Sequence, residues 1–503
     1  MTIAPLLGIQ LDEAIFTGPM FKDGWSFFAV PLAETEIPIM IMSYLGAAKT
    51  WLYVPIFFIW DPSVYSLRIP PILLGVISIL ASYSLLTRIA GRRVALFGTA
   101  LLATDPSYMM ATTMDWGPVA IQHVCLIAAL AFFVRAYQAS QTRFLAAGAF
   151  LLGLGCWDKA LFLWMLSGCA LASVCLLPQI KRFISLWRIT VLGLFFLLGA
   201  SPLVFYNYSK PLETFRANTS FSTDDLAQKV HVLRGTVDGS AFFRFLVEED
   251  SPNSPNTVPP RLLGEHHRNL NWYALITALC LAPFLLFTTY RRAVLFCVIT
   301  MSVAWVQMLI TRGAGAGSHH TLLLWPFPLI LIAIAASAAS DRLGRAALPF
   351  LISVCALLCA SNLLVSRTYW EKAARNGGPG PWTNAIFSLA KRLPAYDVEH
   401  IFLTDWGLYD NTRLLTKGEL PLRIATGPLM RPDPTPEERA EAGVILGFPN
   451  AIFVSNTDDR QNFPQVNAHL RTLSAAFGYR REVLELVPDS RGRPCIEISR
   501  YVK

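Results

Sequence analysis

The sequence predicts an α-helical polytopic membrane domain followed by a small α/β domain, and three observations carry that expectation. Of 503 residues, 54% are hydrophobic and 15% charged, with mean hydropathy +0.45. A soluble domain is nearer a quarter charged. About ten apolar stretches follow one another between residues 67 and 365. Beyond residue 366 the pattern changes to short β-branched runs alternating with helical spacing. The net charge of +8 does not mark a nucleic-acid-binding surface, because Lys and Arg cluster in short links between apolar runs. Eight of the nine cysteines lie in apolar segments and only Cys495 lies in the tail. There is no CxxC and no disulfide framework, so this is buried-thiol usage.

Taken in order, Met1–Leu11 is apolar but too short to span, since a crossing helix needs about 20 residues. It also lacks the basic start of a signal peptide. The acidic pair Asp12-Glu13 follows. The stretch to Tyr44, rich in aromatics and prolines, reads as loop plus helices lying in the membrane interface. Gly46–Trp60 holds Lys49 and Pro55 and reads as a re-entrant or interfacial helix. Spans are expected near 67–87, 94–111, 117–135, 143–157, 160–178, 187–206, 270–288, 293–311, 320–339 and 346–365.

Alternate links between these spans carry Arg88, Arg92, Arg93, Arg135, Arg143, Lys181, Arg182, Arg188, Arg291, Arg292, Arg342 and Arg345, against the single acid Asp341. The positive-inside rule makes them cytoplasmic. The opposite links are then external: those with Asp115 and Asp158-Lys159, the long loop 207–269, Arg312–Ser318, and everything after Ser366. This bookkeeping puts Asp12-Glu13 outside too, in a first external loop over 11–66. A cytoplasmic start would then need a span ahead of Leu11, so the expectation is that the natural chain begins upstream. The domains expected are 1–366 in the membrane and 367–503 as an extracytoplasmic soluble unit.

In the tail, Gly377-Gly378-Pro379-Gly380-Pro381 reads as a linker and Trp382–Leu393 as a helix. His400–Thr404 and Ala451–Ser455 read as buried strands. Glu437–Gly443 and Gln465–Phe477 read as helices, and Glu482–Val487 with Cys495–Tyr501 as a terminal strand pair. No GxGxxG or Walker A motif is present, so nothing points to a nucleotide.

Unusual charges gather on the external face. Asp12, Glu13 and Asp115 are acids fit to act as a general base. Lys159, Arg261, His266, His267, Arg268, Arg312, His319 and His320 are groups fit to hold an anion such as a lipid phosphate. Each has a plainer reading. Asp115 would cap the following helix, Lys159 would snorkel and pair with Asp158, and His319-His320 would be an interfacial pair. A metal site from His266, His267, His319 and His320 is disfavoured, because adjacent histidines rarely point at one ion and no HExxH spacing exists. No metal and no cofactor is indicated.

The run Phe58-Ile59-Trp60-Asp61-Pro62-Ser63 through Leu67-Arg68-Ile69-Pro70, followed by Gly91-Arg92-Arg93, resembles a motif of the GT-C membrane glycosyltransferases. The subgroup is that of protein O-mannosyltransferases, lipid A aminoarabinose transferases and bacterial family-39-like enzymes. Asp12-Glu13 is similar to the acidic motif of that family's first external loop. Thr104-Asp105-Pro106 and Met114-Asp115 resemble its second acidic segment. Gly153-Leu154-Gly155-Cys156-Trp157-Asp158-Lys159 is similar to its glycine-rich turn ending in Lys, and Ser318–Pro326 stands at its aromatic-proline segment. The chain departs in three places: the family's first span is absent, Asp105 stands where Ser is commoner, and His319-His320 replace Arg-Tyr.

The resemblance implies a polyprenyl-phosphate-linked sugar as donor, an inverting single displacement, and a glycan, lipid or protein acceptor. Asp12 is then the general base, with Glu13 in the same acidic motif and Asp115 as partner acid. Lys159 and His319-His320 would contact the donor phosphate, with His267 and Arg268 as further cationic candidates. The loop 207–269 would close over the site. The expected location is the plasma (inner) membrane, with the bilayer as partner and no nucleic acid. The alternatives are a transporter or flippase, against which the spans carry few midplane charges, and an inactive scaffold of the GT-C fold.

Overall fold

The computed structural model describes residues 3–22, 24–32, 35–247, 264–378, 380–431 and 433–503. Glu34, Glu248-Glu249-Asp250, the proline-rich stretch with Arg261, and Pro379 of the expected linker lie outside them.

Each expected span coincides with helical structure. Five helices are long and apolar enough to cross a bilayer: α3 (Val64–Ile89), α6 (Val119–Ala139), Leu186–Ser209, Arg291–Ile310 and the helix ending at Asn376. Ser318–Leu324 with Phe327–Ser340 forms a sixth if read as one span bent by 44°. The bend falls at Trp325-Pro326, where proline removes a backbone donor. The other four stretches form shorter helices. The stretch 94–111 splits into α4 (Arg92–Thr104) and α5 (Pro106–Met114). The break has a cause: Pro106 opens the second helix, and Asp105 caps it by accepting the Tyr108 N–H at 2.8 Å. The others are α7 (Thr142–Asp158), α8 (Phe162–Val174) and Asn271–Leu285.

The segment before the first long span is more ordered than interfacial loops. The short helix α1 (Leu11–Thr17) is followed by an antiparallel meander of β1 (Phe28–Leu32), β2 (Thr35–Met42) and β3 (Leu45–Gly46), then α2 (Ala48–Ile59). Pro31, Pro38 and the interspersed acids hid this alternation in the sequence. Pro38 is tolerated because β3 pairs only with Met40 and Met42, which leaves Pro38 bonded on one side alone.

The helix Ala347–Asn376 has 30 residues, about 45 Å at the α-helical rise, and outruns a hydrocarbon core of about 30 Å. Its last turns project beyond the bundle and organise the segment after residue 209. There the Tyr369 hydroxyl donates to Gly239 O at 2.7 Å and accepts from Phe242 N at 3.1 Å, while its ring stacks on Phe243.

The C-terminal region forms a five-stranded mixed sheet in the order β5-β4-β6-β8-β7. The strands are β4 (His400–Leu403), β5 (Leu422–Ile424), β6 (Ala451–Asn456), β7 (Arg480–Pro488) and β8 (Pro494–Val502). Strands β4, β5 and β6 are parallel, and β8 runs antiparallel to β6. The four expected strands are present, as are helices at Ala385–Arg392, Pro436–Gly447 and Pro464–Ala476. Strand β5 was not expected; with three residues it is too short to show a period. This region docks on the α1 end of the bundle. Asn411 donates to Ile9 O at 2.8 Å, Gly8 N to Trp382 O at 2.8 Å, and Arg493 to Asn376 O at 2.7 Å.

Candidate active site

Helix α1 begins with a capping box. The Gln10 side chain accepts the Asp12 N–H at 2.7 Å, and Glu13 accepts the Gln10 N–H at 2.8 Å. Glu13 is buried, and each of its oxygens lies 2.8 Å from an Arg68 nitrogen in a bidentate pair. The same guanidinium donates to the carbonyls of Ala4, Leu7 and Gly8. Glu13 therefore locks the N-terminal segment onto the start of α3. It is fully engaged by the protein.

Asp12, one residue earlier, points elsewhere. Its Oδ2 accepts the backbone N–H of Gly117 at 3.0 Å. The other oxygen has no hydrogen-bond partner among the described residues, and the residue is only half-buried by surface area. Burial nonetheless pushes its carboxyl above the usual 3.8, opposed by Lys49, Lys159 and the Gly117 N–H.

Gly117 is a pivot between Asp12 and Lys159. Its N–H holds Asp12, and its carbonyl accepts from Lys159 Nζ at 3.1 Å. It has φ +67°, and a Cβ there would sit 2.8 Å from the His319 ring, so glycine is required twice over. Lys159 lies between α7 and α8 and is buried. Its backbone is clamped by an antiparallel bridge to Leu45, and Ala160 N donates to Tyr44 O at 2.8 Å. Gly46 makes that approach feasible, since a Cβ there would meet Trp157 O at 2.0 Å. Burial lowers the Lys159 ammonium from 10.5 to about 8, against the attraction of Asp12, Asp158 and Asp115.

Asp115 is buried in a left-handed conformation, φ 45°, at the end of α5. It caps α6 by accepting from Ala120 N at 3.1 Å, and its Oδ2 pairs with the buried Lys49 Nζ at 2.9 Å. Helix capping and an ion pair thus coexist at this residue. The plainer reading of Lys159 needs correcting. Asp158 accepts from Gln122 at 2.7 Å instead, and no ion pair joins it to Lys159 among the described residues.

Behind Gly117, the ring of His319 packs 4.7 Å from Trp116 and 4.2 Å from His320. The Nδ1 atoms of both histidines are buried without a hydrogen-bond partner. His267 and Arg268 are not gathered here. His267 packs on Phe243 and lies 3.6 Å from Glu265, and exposed Arg268 lies 3.6 Å from Asp238. Arg312 is exposed, and His266 is held through its backbone to Thr368. Among the described residues, no three metal-ligating side chains come together, so the four-histidine site is not assembled.

Sequence reasoning gave no role to Lys49, Arg68, Gly117 or Gln122. The signal for the two cations was present: each is a lone basic residue in an apolar segment, where charge needs a partner.

Residues 47–206 match the family described as dolichyl-phosphate-mannose-protein mannosyltransferase. The whole structure is similar to ArnT from Cupriavidus metallidurans bound to undecaprenyl phosphate. That similarity has TM-score 0.62 at 12% identity, over 99% of this chain and 95% of that one. The chain has the GT-C membrane glycosyltransferase fold. The apo state of the same ArnT gives TM-score 0.56 at 13% identity, over 97% and 93% of the two chains. The oligosaccharyltransferase AglB from Archaeoglobus fulgidus, in complex with an inhibitory peptide and a dolichol-phosphate, shares this fold. It gives TM-score 0.52 at 12% identity, over 99% of this chain and 69% of that one. No curated protein sequence matches. The family match spans α2 to Leu186–Ser209, so the GT-C segment contains Lys49, Asp115, Gly117 and Lys159.

Proposed function

We propose that this chain is a glycosyltransferase of the plasma membrane that moves a sugar from a polyprenyl-phosphate-linked donor to an acceptor on the external face. The observation that carries the reading is the division of labour among the three acids. Glu13 is consumed by Arg68 and Asp115 by Lys49, whereas Asp12 keeps one oxygen without a hydrogen-bond partner among the described residues. Burial raises this carboxyl, and a raised carboxyl is the stronger base once ionised.

In this reading Asp12 takes the proton of the acceptor nucleophile, which forms a bond to the anomeric carbon from the face opposite the leaving group. The bond from that carbon to the phosphate oxygen breaks, and the polyprenyl phosphate departs with the bonding pair. The configuration therefore inverts. The departing phosphate is already a stabilised anion, so the protein must mainly orient the partners and supply positive charge. Lys159 supplies that charge from the carbonyl of the same glycine whose N–H holds Asp12. The unpartnered ring nitrogens of His319 and His320 are polar atoms of the kind a bound phosphate satisfies. Asp115 with Lys49 fixes the α5–α6 turn and acts as the partner acid. The reading calls for no cofactor or metal, and the C-terminal unit lies on the external side with the site.

The segment after residue 209 closes the site from above, as the stacking of Phe245 on Trp116 at 3.9 Å supports. The test is sugar transfer from polyprenyl-phosphate-linked donors in membranes carrying the wild type or Asp12→Asn. The variant is expected to lose about 10²–10⁴-fold in rate. Transfer at the wild-type rate would remove Asp12 from the chemistry.

A further inference from the structure

A cavity of about 550 Å³ lies where the α/β unit meets the bundle, within the size range of small-molecule sites. Asp12, Asp115 and Lys159 do not line it; they stand behind Trp116, which does. From Trp116 a chain of aromatic contacts crosses the cavity. Trp116 stacks on Phe245 at 3.9 Å, Phe245 lies 6.1 Å from Trp382, and Trp382 lies 4.9 Å from Trp406. Trp406 belongs to the α/β unit and remains 37% exposed.

The lining is also polar. Asp459, Arg460, Gln461 and Asn462 of the loop after β6 contribute to it, with Arg244 on the bundle side. The Gln461 amide is fixed by donating to Asn456 O at 3.2 Å and to Asp458 Oδ1 at 2.9 Å. That loop is held in place from behind. The buried carboxylate of Asp405, just after β4, accepts from Asn456 at 2.7 Å. It also accepts from the backbone N–H groups of Trp406, Asn462 and Phe463 at 2.8, 3.2 and 3.0 Å.

The position has independent meaning. In the parallel part of the sheet, with order β5-β4-β6, the chain leaves β4 toward one side and β6 toward the other. The crevice outside the carboxyl ends of β4 and β6 is the topological switch point, where open α/β sheets bind ligands. Here Trp116 of the bundle lines that crevice, which stays open to solvent.

Aromatic rings together with carboxylate, amide and guanidinium groups suit one ligand chemistry. A sugar ring sets its C–H face on an aromatic plane and offers hydroxyls to planar, bidentate donors. A lipid chain would want apolar walls all round, and a bound strand would want a free sheet edge; this cavity provides neither. We propose that the cavity is a saccharide-binding subsite, and that the acceptor of the transfer is accordingly a carbohydrate. The assignment rests on the transferase reading above. The donor's lipid stays with the bundle, so a sugar reaching the β4–β6 crevice belongs to the acceptor.

The test uses the full chain in lipid nanodiscs on an array of free-reducing-end oligosaccharides, comparing wild type, Trp406→Ala, Trp406→Phe, Gln461→Ala and Asp12→Asn. A subset of saccharides is expected to be retained by wild type and by Asp12→Asn. Retention should fall by about tenfold or more in Trp406→Ala and Gln461→Ala, and be largely restored in Trp406→Phe. The restoration shows that the alanine variant lost a contact and not its fold. No retention by wild type, or equal retention by Trp406→Ala, overturns the subsite. Displacement of the bound saccharides by undecaprenyl-phosphate-linked mannose overturns the acceptor assignment, because the donor's sugar would then occupy the cavity. Failure of the wild type to transfer any sugar from a polyprenyl-phosphate-linked donor overturns the transferase reading alone and is read in a separate assay.

Discussion

Glu13→Gln separates a positioning acid from a catalytic one. The substitution keeps the shape of the side chain and removes its charge, leaving Arg68 buried without a counter-ion. Breaking one side of a buried ion pair costs about 3–5 kcal/mol. The carbonyls of Ala4, Leu7 and Gly8 still accept from the guanidinium, and the Gln amide oxygen retains one contact, so the lower end, about 3 kcal/mol, is expected. The assay pairs thermal unfolding of the detergent-solubilised protein with transfer rate per folded molecule. Glu13→Gln should unfold at clearly lower temperature while the folded fraction keeps most of its rate. Asp12→Asn should do the reverse, since its carboxyl is raised by burial and a neutral amide relieves that penalty. Adding Arg68→Met to Glu13→Gln should recover stability, because no buried charge is then left over. A Glu13→Gln protein with unchanged unfolding and a rate as low as that of Asp12→Asn would refute the assignment.

The remaining predictions concern charge, backbone and the second unit. The transfer rate should follow a bell in pH, with an acid limb above 3.8 as Asp12 ionises and an alkaline limb near 8 as Lys159 loses its proton. Lys159→Arg should abolish that alkaline limb, which a pH series of initial rates would show. The stability signs differ. Asp12, raised in the folded state, weakens stability as pH climbs through its folded value; Lys159, lowered, adds stability as pH rises from about 8 toward 10.5. Gly117→Ala should cost about 1–3 kcal/mol from its φ of +67° and the contact with His319. It should also cut the rate by more than that loss explains, since one residue, through its two flanking peptides, holds both Asp12 and Lys159. Lys49→Met should lower the unfolding temperature through buried Asp115, with recovery in the double variant that also carries Asp115→Asn.

Much of this architecture was legible because its signals are long. A membrane helix repeats one apolar message over some twenty residues, so all ten expected stretches form helix even where length falls short of a full crossing. The buried strands β4 and β6 were visible as short apolar runs containing β-branched residues. What stayed hidden is short or relational. The β1–β3 meander is broken by prolines, and β5 has three residues. The pairing of Lys49 with Asp115 joins positions 66 residues apart, and no local pattern states it (115 − 49). Nor does the sequence say that Asp158 prefers Gln122, leaving Lys159 to a backbone carbonyl. His267 and Arg268 looked equivalent to Lys159 as external cations. They differ because Glu265 and Asp238 engage them on the far side of Phe243.

The two acids at positions 12 and 13 show how a helix can turn adjacent, like residues to unlike work. Successive side chains on an α-helix diverge by about 100°, so neighbours in sequence never face the same partner. The Gln10 capping box fixes where α1 starts and hence the rotation of its first turn. The Arg68 pair then anchors the Glu13 side of that turn to α3. With start and rotation both fixed, Asp12 has one direction left, toward the Gly117 amide. A single well-made hydrogen bond suffices there, because the rigidity comes from its neighbour. In the proposed role of general base, Asp12 gains from this arrangement. Its own contacts remain few, while the residue beside it carries the buried charge that holds the turn still.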